Sequence, residues 1–158
     1  MHNLLKILTA LLFSLSLYGE TISVMTFNVE NLFDNRNDAY KTDETYLEFS
    51  KKQTPAHIRN CEKISTKRWR DDCLYIDWTD EVIEHKLNSI ATVILSYGNN
   101  GPDIIGLQEV ENNRILKQLF NKLDEAGYKY YVLLEGSDNR GIDTCLLYTS
   151  DAADDTSG

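Results

Sequence analysis

The sequence predicts an α/β fold, and three observations predict it. Two short runs rich in apolar residues, 21–29 and 102–110, read as strands. Apolar stripes at helical spacing stand on either side of the second run. After residue 79 the connections are short, so the order reads β, a long excursion, α, β, α, β, β.

Each element has its own reason. Residues 21–29 alternate and are rich in β-branched side chains, which suits a half-buried strand, with Asn28 at its carboxyl end. Residues 35–78 are the least regular stretch, an insertion of mixed charge. A structureless loop of that length is rare in a compact domain, so some helix or a small hairpin is expected inside it. Lys63, Lys67, Arg68 and Arg70 cluster there around Trp69. Such a cluster can grip phosphate or stack a base, but Asp71 and Asp72 follow at once and favour a solvated face. Thr79 can cap a helix running to about Tyr97, with Asp80 and Glu81 suited to its first turn. Its buried stripe is Ile83, Leu87, Ile90, Ile94 and Tyr97, with His85 off the stripe and Gly98 as a stop.

Residues 102–110 show no alternation, which reads as a strand buried on both faces and running parallel to its neighbour. The run then ends in Gln108-Glu109-Val110-Glu111. A buried strand ends in carboxylates where it opens into water or a site, and ligands of open α/β sheets sit off the carboxyl ends of strands. Glu109 is therefore the first candidate for a functional carboxylate. Asn112 or Asn113 caps the second helix, whose buried face is Ile115, Leu116, Leu119, Leu123 and Ala126, with Gly127 ending it. Residues 128–134 make a third strand, 135–141 a loop, and a fourth strand starts at Ile142.

The ends of the chain read differently. Residues 1–19 have a weakly basic start, an apolar stretch and a small residue, Gly19, before the first strand. That is the layout of a signal peptide, and it is shorter than the roughly 20 apolar residues of a membrane span. A retained anchor is the alternative. The expected location is periplasmic or secreted, with no stable membrane span after cleavage. Export permits disulfides, and Cys61 and Cys73 are the candidate pair, against two free thiols. Residues 145–158 end in a small, acidic stretch, and Cys145 to Asp154 can be encoded by codons that look like a sequencing-library adapter. The expectation is an artefactual tail, with natural sequence stopping near Thr144.

The formal charge of -9 argues against binding nucleic acid through a basic face. It leaves room for an enzyme that reaches a polyanion through a metal ion.

Residues 26–33, Thr-Phe-Asn-Val-Glu-Asn-Leu-Phe, residues 102–110, Pro-Asp-Ile-Ile-Gly-Leu-Gln-Glu-Val, and residues 138–143, Asp-Asn-Arg-Gly-Ile-Asp, together resemble the endonuclease/exonuclease/phosphatase superfamily. That group includes deoxyribonucleases, apurinic-site endonucleases, sphingomyelinases and inositol-polyphosphate phosphatases. The resemblance spans roughly residues 22–144, with 35–78 unmatched. It implies the first half of a four-layer α/β sandwich, two packed mixed sheets flanked by helices, in a partial domain over residues 20–144. It also implies metal-assisted hydrolysis of a phosphodiester, with nucleic acid as the first substrate. Glu109 would hold Mg²⁺, or Mn²⁺ or Ca²⁺ in its place, and Asn28 would orient the catalytic group or share the metal. The chemistry is apt, because Mg²⁺ takes oxygen ligands and only one or two carboxylates. Arg140 is the candidate phosphate contact, since its planar fork matches phosphate geometry; the plainer reading is a surface turn residue.

The departures carry equal weight. The family's later Asp-x-Asn and Asp-His, which supply the water-activating base, do not follow residue 144, and His2, His57 and His85 match nothing. The 158 residues by themselves are therefore expected to be inactive and to leave one apolar sheet face bare, with poor solubility as the result. The alternatives are the same chemistry on a lipid or inositol phosphate, or a non-catalytic secreted binding module on the same fold. No protein partner is inferred.

Overall fold

The computed structural model describes residues 21–98 and 100–149. The signal-peptide reading and residues 150–158 lie outside the described residues. Among those described, no helix is long and apolar enough to cross a membrane.

Four strands form one mixed sheet in the order β1-β2-β4-β3. β1 is Val24–Leu32, β2 Ile104–Val110, β3 Tyr128–Leu134 and β4 Asp143–Thr149. β1 and β2 run parallel, while β4 lies antiparallel to both β2 and β3. The expectation that β2 is a parallel strand holds on one edge only. Between β1 and β2 the chain makes two helices in the insertion, α1 (Pro55–Glu62) and α2 (Lys67–Tyr75), and then α3 (Asp80–Leu95). Helix α4 (Asn113–Lys122) joins β2 to β3.

The helix boundaries follow their caps. Thr79 accepts from the Val82 amide and starts α3, and Asn112 accepts from the Arg114 and Ile115 amides and starts α4. α3 stops at Leu95, so Tyr97 falls beyond it and is 53% exposed instead of extending the buried stripe. The insertion is more regular than its composition suggests. Thr54 accepts from the His57 amide, with Pro55 in the first turn of α1, where its missing N–H costs nothing. Cys61 of α1 and Cys73 of α2 form a disulfide that ties the two helices. On α2, Trp69 is exposed, Lys67 pairs with Asp71 and Arg70 donates to the Ile64 carbonyl. The basic-aromatic cluster is a solvated helix face.

One face of the sheet is the core. Ile105, Leu107, Cys145 and Leu147 are fully buried against Leu87, Ile94, Leu116 and Leu119 of α3 and α4 in a single cluster. Burial pushes the Cys145 thiol up to about 12, so it behaves as a small apolar side chain. The expected artefactual tail begins at residue 145, within β4. Residues 145–149 complete β4, an inner strand paired on both edges, with Cys145 and Leu147 pointing into the core.

The opposite face carries no helix among the described residues. Val24, Tyr130, Leu134 and Leu146 are exposed there, and Tyr130 stacks on Tyr148 at 5.1 Å. One sheet with helices on one side is what the described residues form; a second sheet is not among them.

Two local devices hold the strand ends. Ser23 donates through its amide and hydroxyl to one oxygen of Asp103, at 2.7 and 2.6 Å, and the Asp103 amide returns a bond to the Ser23 hydroxyl. This clasp fixes the register at the amino ends of β1 and β2. At Gly101 (φ +90°) a Cβ would meet the Tyr128 hydroxyl at 2.7 Å, a position that hydroxyl occupies to donate to the Pro102 carbonyl.

Two measurements check this packing. Leu87→Ala should cost roughly 2–5 kcal/mol in urea unfolding, while Val93→Ala on the exposed side of the same helix should stay within about 0.5 kcal/mol. The Ser23 hydrogen bonds hold the Asp103 carboxyl below the usual carboxylate range. A depressed folded pKa gives stability that is present above the ordinary carboxylate pKa and is lost as pH falls through the folded one. Asp103→Asn should therefore flatten the acid limb of a melting-temperature profile below about pH 4, the ordinary carboxylate range. An unchanged limb would show that the clasp contributes nothing.

Candidate active site at the carboxyl ends of β1 and β2

The site begins as a break in strand pairing. Asn28 pairs with Gln108, and the next aligned pair is Leu32 with Val110, so β1 spends four residues where β2 spends two. On its other edge β2 pairs Gln108 with Thr144 and then Val110 with Asp143, two residues against one. Glu109 is the bulged residue against β4, and it faces the bulge of Val29, Glu30 and Asn31 on β1. Its φ is +66°, and Glu30 (+54°) and Asn31 (+62°) on β1 are also left-handed.

The bulge has a cause in strand parity. Ile105 and Leu107 point into the core, so regular alternation would send Glu109 there too. Burying an unpaired carboxylate costs several kcal/mol. A left-handed residue costs on the order of 1–3 kcal/mol. The backbone strain is the smaller cost, and it returns Val110 to the core while turning Glu109 out onto the rim.

Once there, the carboxylate is held from β1. Asn28 Nδ2 donates to Glu109 Oε1 at 3.0 Å, and the Asn31 amide donates to Oε2 at 3.0 Å. The Asn28 side-chain oxygen, Oδ1, accepts in turn from the Glu30 amide at 2.8 Å. This orients the Asn28 amide group toward Glu109, so in this geometry Asn28 positions the carboxylate. Asn28 and Glu109, read from separate stretches of sequence, share one rim.

Arg140 reaches the same rim. Its Nη1 lies 3.4 Å from Asn31 Oδ1, but Nε and Nη2 are engaged by the two oxygens of Asp138, at 3.1 and 2.9 Å. That pair raises the guanidinium pKa further. A phosphate would have to share Arg140 with Asp138. The loop is braced by the insertion, since the Thr42 amide donates to the Asn139 carbonyl at 2.9 Å. Gly141 (φ +83°) lets the Lys41 stem pack where a Cβ would sit 3.3 Å from it.

Three further residues at the rim escape a reading of the sequence. Lys86 of α3 donates to the Glu30 carbonyl at 2.9 Å; burial lowers its pKa, with Glu30 and Glu109 opposing that shift. Tyr46, from the insertion, stacks on Phe33 at 4.0 Å, and burial raises its hydroxyl pKa while Arg140 lowers it and Glu109 adds to the rise. Asn31 supplies its amide to Glu109. Only Asn31 left a trace in the sequence, because asparagine tolerates the left-handed region better than most residues. His57 is elsewhere, against Cys61 and the Cys73 carbonyl.

The donor set can hold a hard divalent ion. Each Glu109 oxygen accepts one hydrogen bond and keeps a second lone pair, and no ion pair among the described residues reaches Glu109. An oxygen-only site with one carboxylate suits Mg²⁺, which retains several waters.

The strain itself can be tested. Asn31→Val should cost about 1–3 kcal/mol in thermal unfolding, because a β-branched side chain resists the left-handed region. Asn31→Gly should retain or exceed wild-type stability. Equal melting temperatures for the two variants would mean that residue 31 is not left-handed.

Comparison with known proteins places this geometry in context. Residues 74–157 match the Endonuclease/Exonuclease/phosphatase family. The match contains Glu109, Arg140 and all of β4, and Asn28 lies before its start. No curated protein and no solved structure gives a match. With over half of its length in the match, and with a strand-end carboxylate held out toward solvent, the chain belongs to the Endonuclease/Exonuclease/phosphatase family.

Proposed function

We propose that the rim of Asn28, Glu109 and Arg140 belongs to a metal-dependent phosphodiester hydrolase, an exported nuclease. The family supports hydrolysis of this general kind. The observation that carries the finer reading is the Glu109 carboxylate, turned out of the core at a backbone cost and clamped by two N–H donors. Strain of this kind persists where a side chain must be presented in one orientation. Mg²⁺ at Glu109, with Mn²⁺ as a substitute, would supply charge neutralisation on a phosphoryl oxygen and orient the attacking water. On an acidic chain that ion is also what allows a polyanion to approach.

The roles of the chain's own groups follow. Asn28 and the Asn31 amide orient Glu109. Lys86 holds the Glu30 carbonyl and with it the left-handed turn. Arg140 binds a non-bridging phosphate oxygen as Asp138 yields part of its fork. Among the described residues no histidine stands at the rim, so the base that activates water is expected from the Asp-x-Asn and Asp-His motifs absent from the 158 residues. The bare apolar face of β3 and β4 is where the second sheet of a four-layer sandwich would pack. The disulfide between Cys61 and Cys73 fits an oxidising compartment and supports export. The same rim would serve a lipid or inositol phosphate; nothing at Glu109 selects the alcohol side of the ester.

The test uses Mg²⁺ and plasmid DNA. The 158-residue chain should bind Mg²⁺ at the rim, lose that binding event in Glu109→Ala, and nick DNA only at background. In a protein that continues into the two missing motifs, wild type should nick DNA and Glu109→Ala should lose about a hundredfold or more, since the bound ion supplies several kcal/mol to the transition state. Full activity in Glu109→Ala would refute the assignment.

A further inference from the structure

We propose that Asp38, Asp43 and Glu111 form a second cation site, separate from Glu109, for a calcium-class ion that fastens the insertion to the end of β2. One oxygen from each of the three carboxylates lies within 4.8 Å of the other two. That is the largest separation two oxygens take across one Ca²⁺ with ligands at about 2.4 Å.

Acidic residues often gather without a ligand, and the deciding observation is Glu111. It is 3% exposed, and its Oε1 has no hydrogen-bond partner. Its Oε2 accepts from the Asp34 amide at 2.8 Å. An unpartnered buried carboxylate oxygen costs several kcal/mol unless something meets it. The neighbours offer nothing suitable. Asp43, 2% exposed, takes the Asn37 side-chain amide and the Asp38 amide, and Asp38 takes Arg114 and the Asn112 side chain. Arg114 Nε is engaged by Asp34 and its Nη2 by Asp38. No ion pair among the described residues reaches Asp43 or Glu111. Charge is thus short on the positive side: Asp34, Asp38, Asp43 and Glu111 face the Arg114 guanidinium, with Lys41 the other cation nearby and in no ion pair with them.

The donors are all hard oxygens, and a cavity of about 100 Å³ opens beside Asp38 and Glu111, with Lys41 on its wall. It has room for water to complete the shell of an ion that takes six to eight oxygens in flexible geometry. Mg²⁺ is the poorer fit, because its shorter bonds demand a tighter octahedron. The consequence is mechanical. Asp38 and Asp43 lie at the start of the insertion and Glu111 just past β2, so one ion would join the segment that carries Tyr46 to the strand that carries Glu109.

The experiment uses the 158-residue chain carrying Glu109→Gln, which removes the proposed catalytic carboxylate and separates the two sites. After stripping with EDTA it is titrated with CaCl₂ by calorimetry and melted with and without the ion. One Ca²⁺ per chain, a raised melting temperature, weaker binding of Mg²⁺, and slower proteolysis of residues 35–54 are expected. Adding Glu111→Gln or Asp43→Asn should abolish the binding. Should neither variant fold, Asp38→Asn, partly exposed, carries the same comparison. The absence of a calcium event, or one that survives these substitutions, overturns the proposal and leaves a proton shared among the carboxylates as the reason Glu111 tolerates its burial.

Discussion

The site depends on the pairing of Glu109 with Asn28 across the β1–β2 junction. Everything nearby is arranged so that one carboxylate points to the rim when strand parity would send it inward. The two registers break at the same place, the backbones of Glu30, Asn31 and Glu109 adopt the left-handed region, and β1 bends until both a side-chain amide and a main-chain N–H meet Glu109. The magnitudes explain the choice: local backbone strain is smaller than the cost of an ionised group in the core.

That arrangement needs a stiff support, and the core supplies it. α3 and α4 press on one face of the sheet, and the Ser23–Asp103 clasp locks the opposite ends of the two strands. The insertion adds a second layer of bracing. Trp78 Nε1 donates to the Phe33 carbonyl at 3.0 Å, Tyr46 stacks on Phe33, and buried Lys52 donates to the Thr45 and Ile76 carbonyls. Without these contacts the residues after β1 would be free to relax out of the left-handed region.

The core elements were legible in the sequence because each rests on local chemistry. Thr79 and Asn112 are caps and the stripes of α3 and α4 follow helical period, but α4 stops at Lys122 and Gly127, at φ +90°, instead ends a separate 3-10 turn, Asp124–Ala126, that holds Ala126. Asn28, Glu109 and Arg140 could be named from motif resemblance, but not how they meet. A bulge leaves no composition signal, so β1 was expected to end near Asn28, whereas it runs on to Leu32. Glu111 was equally hidden, because nothing in Gln-Glu-Val-Glu says which glutamate is buried. Only the double register shift separates Glu109 at the rim from Glu111 beneath it. Tyr46 and Lys86 reach the rim by tertiary contact alone, which no local pattern encodes.

Paramagnetic relaxation by Mn²⁺ tests the central claim most directly. With Mn²⁺ added to isotopically labelled chain, the account predicts that the side-chain amide of Asn28 and the backbone amides of Glu30 and Asn31 broaden first. It also predicts that Glu109→Ala abolishes this broadening. Broadening centred elsewhere, or unchanged in the variant, would contradict a cation held by Glu109.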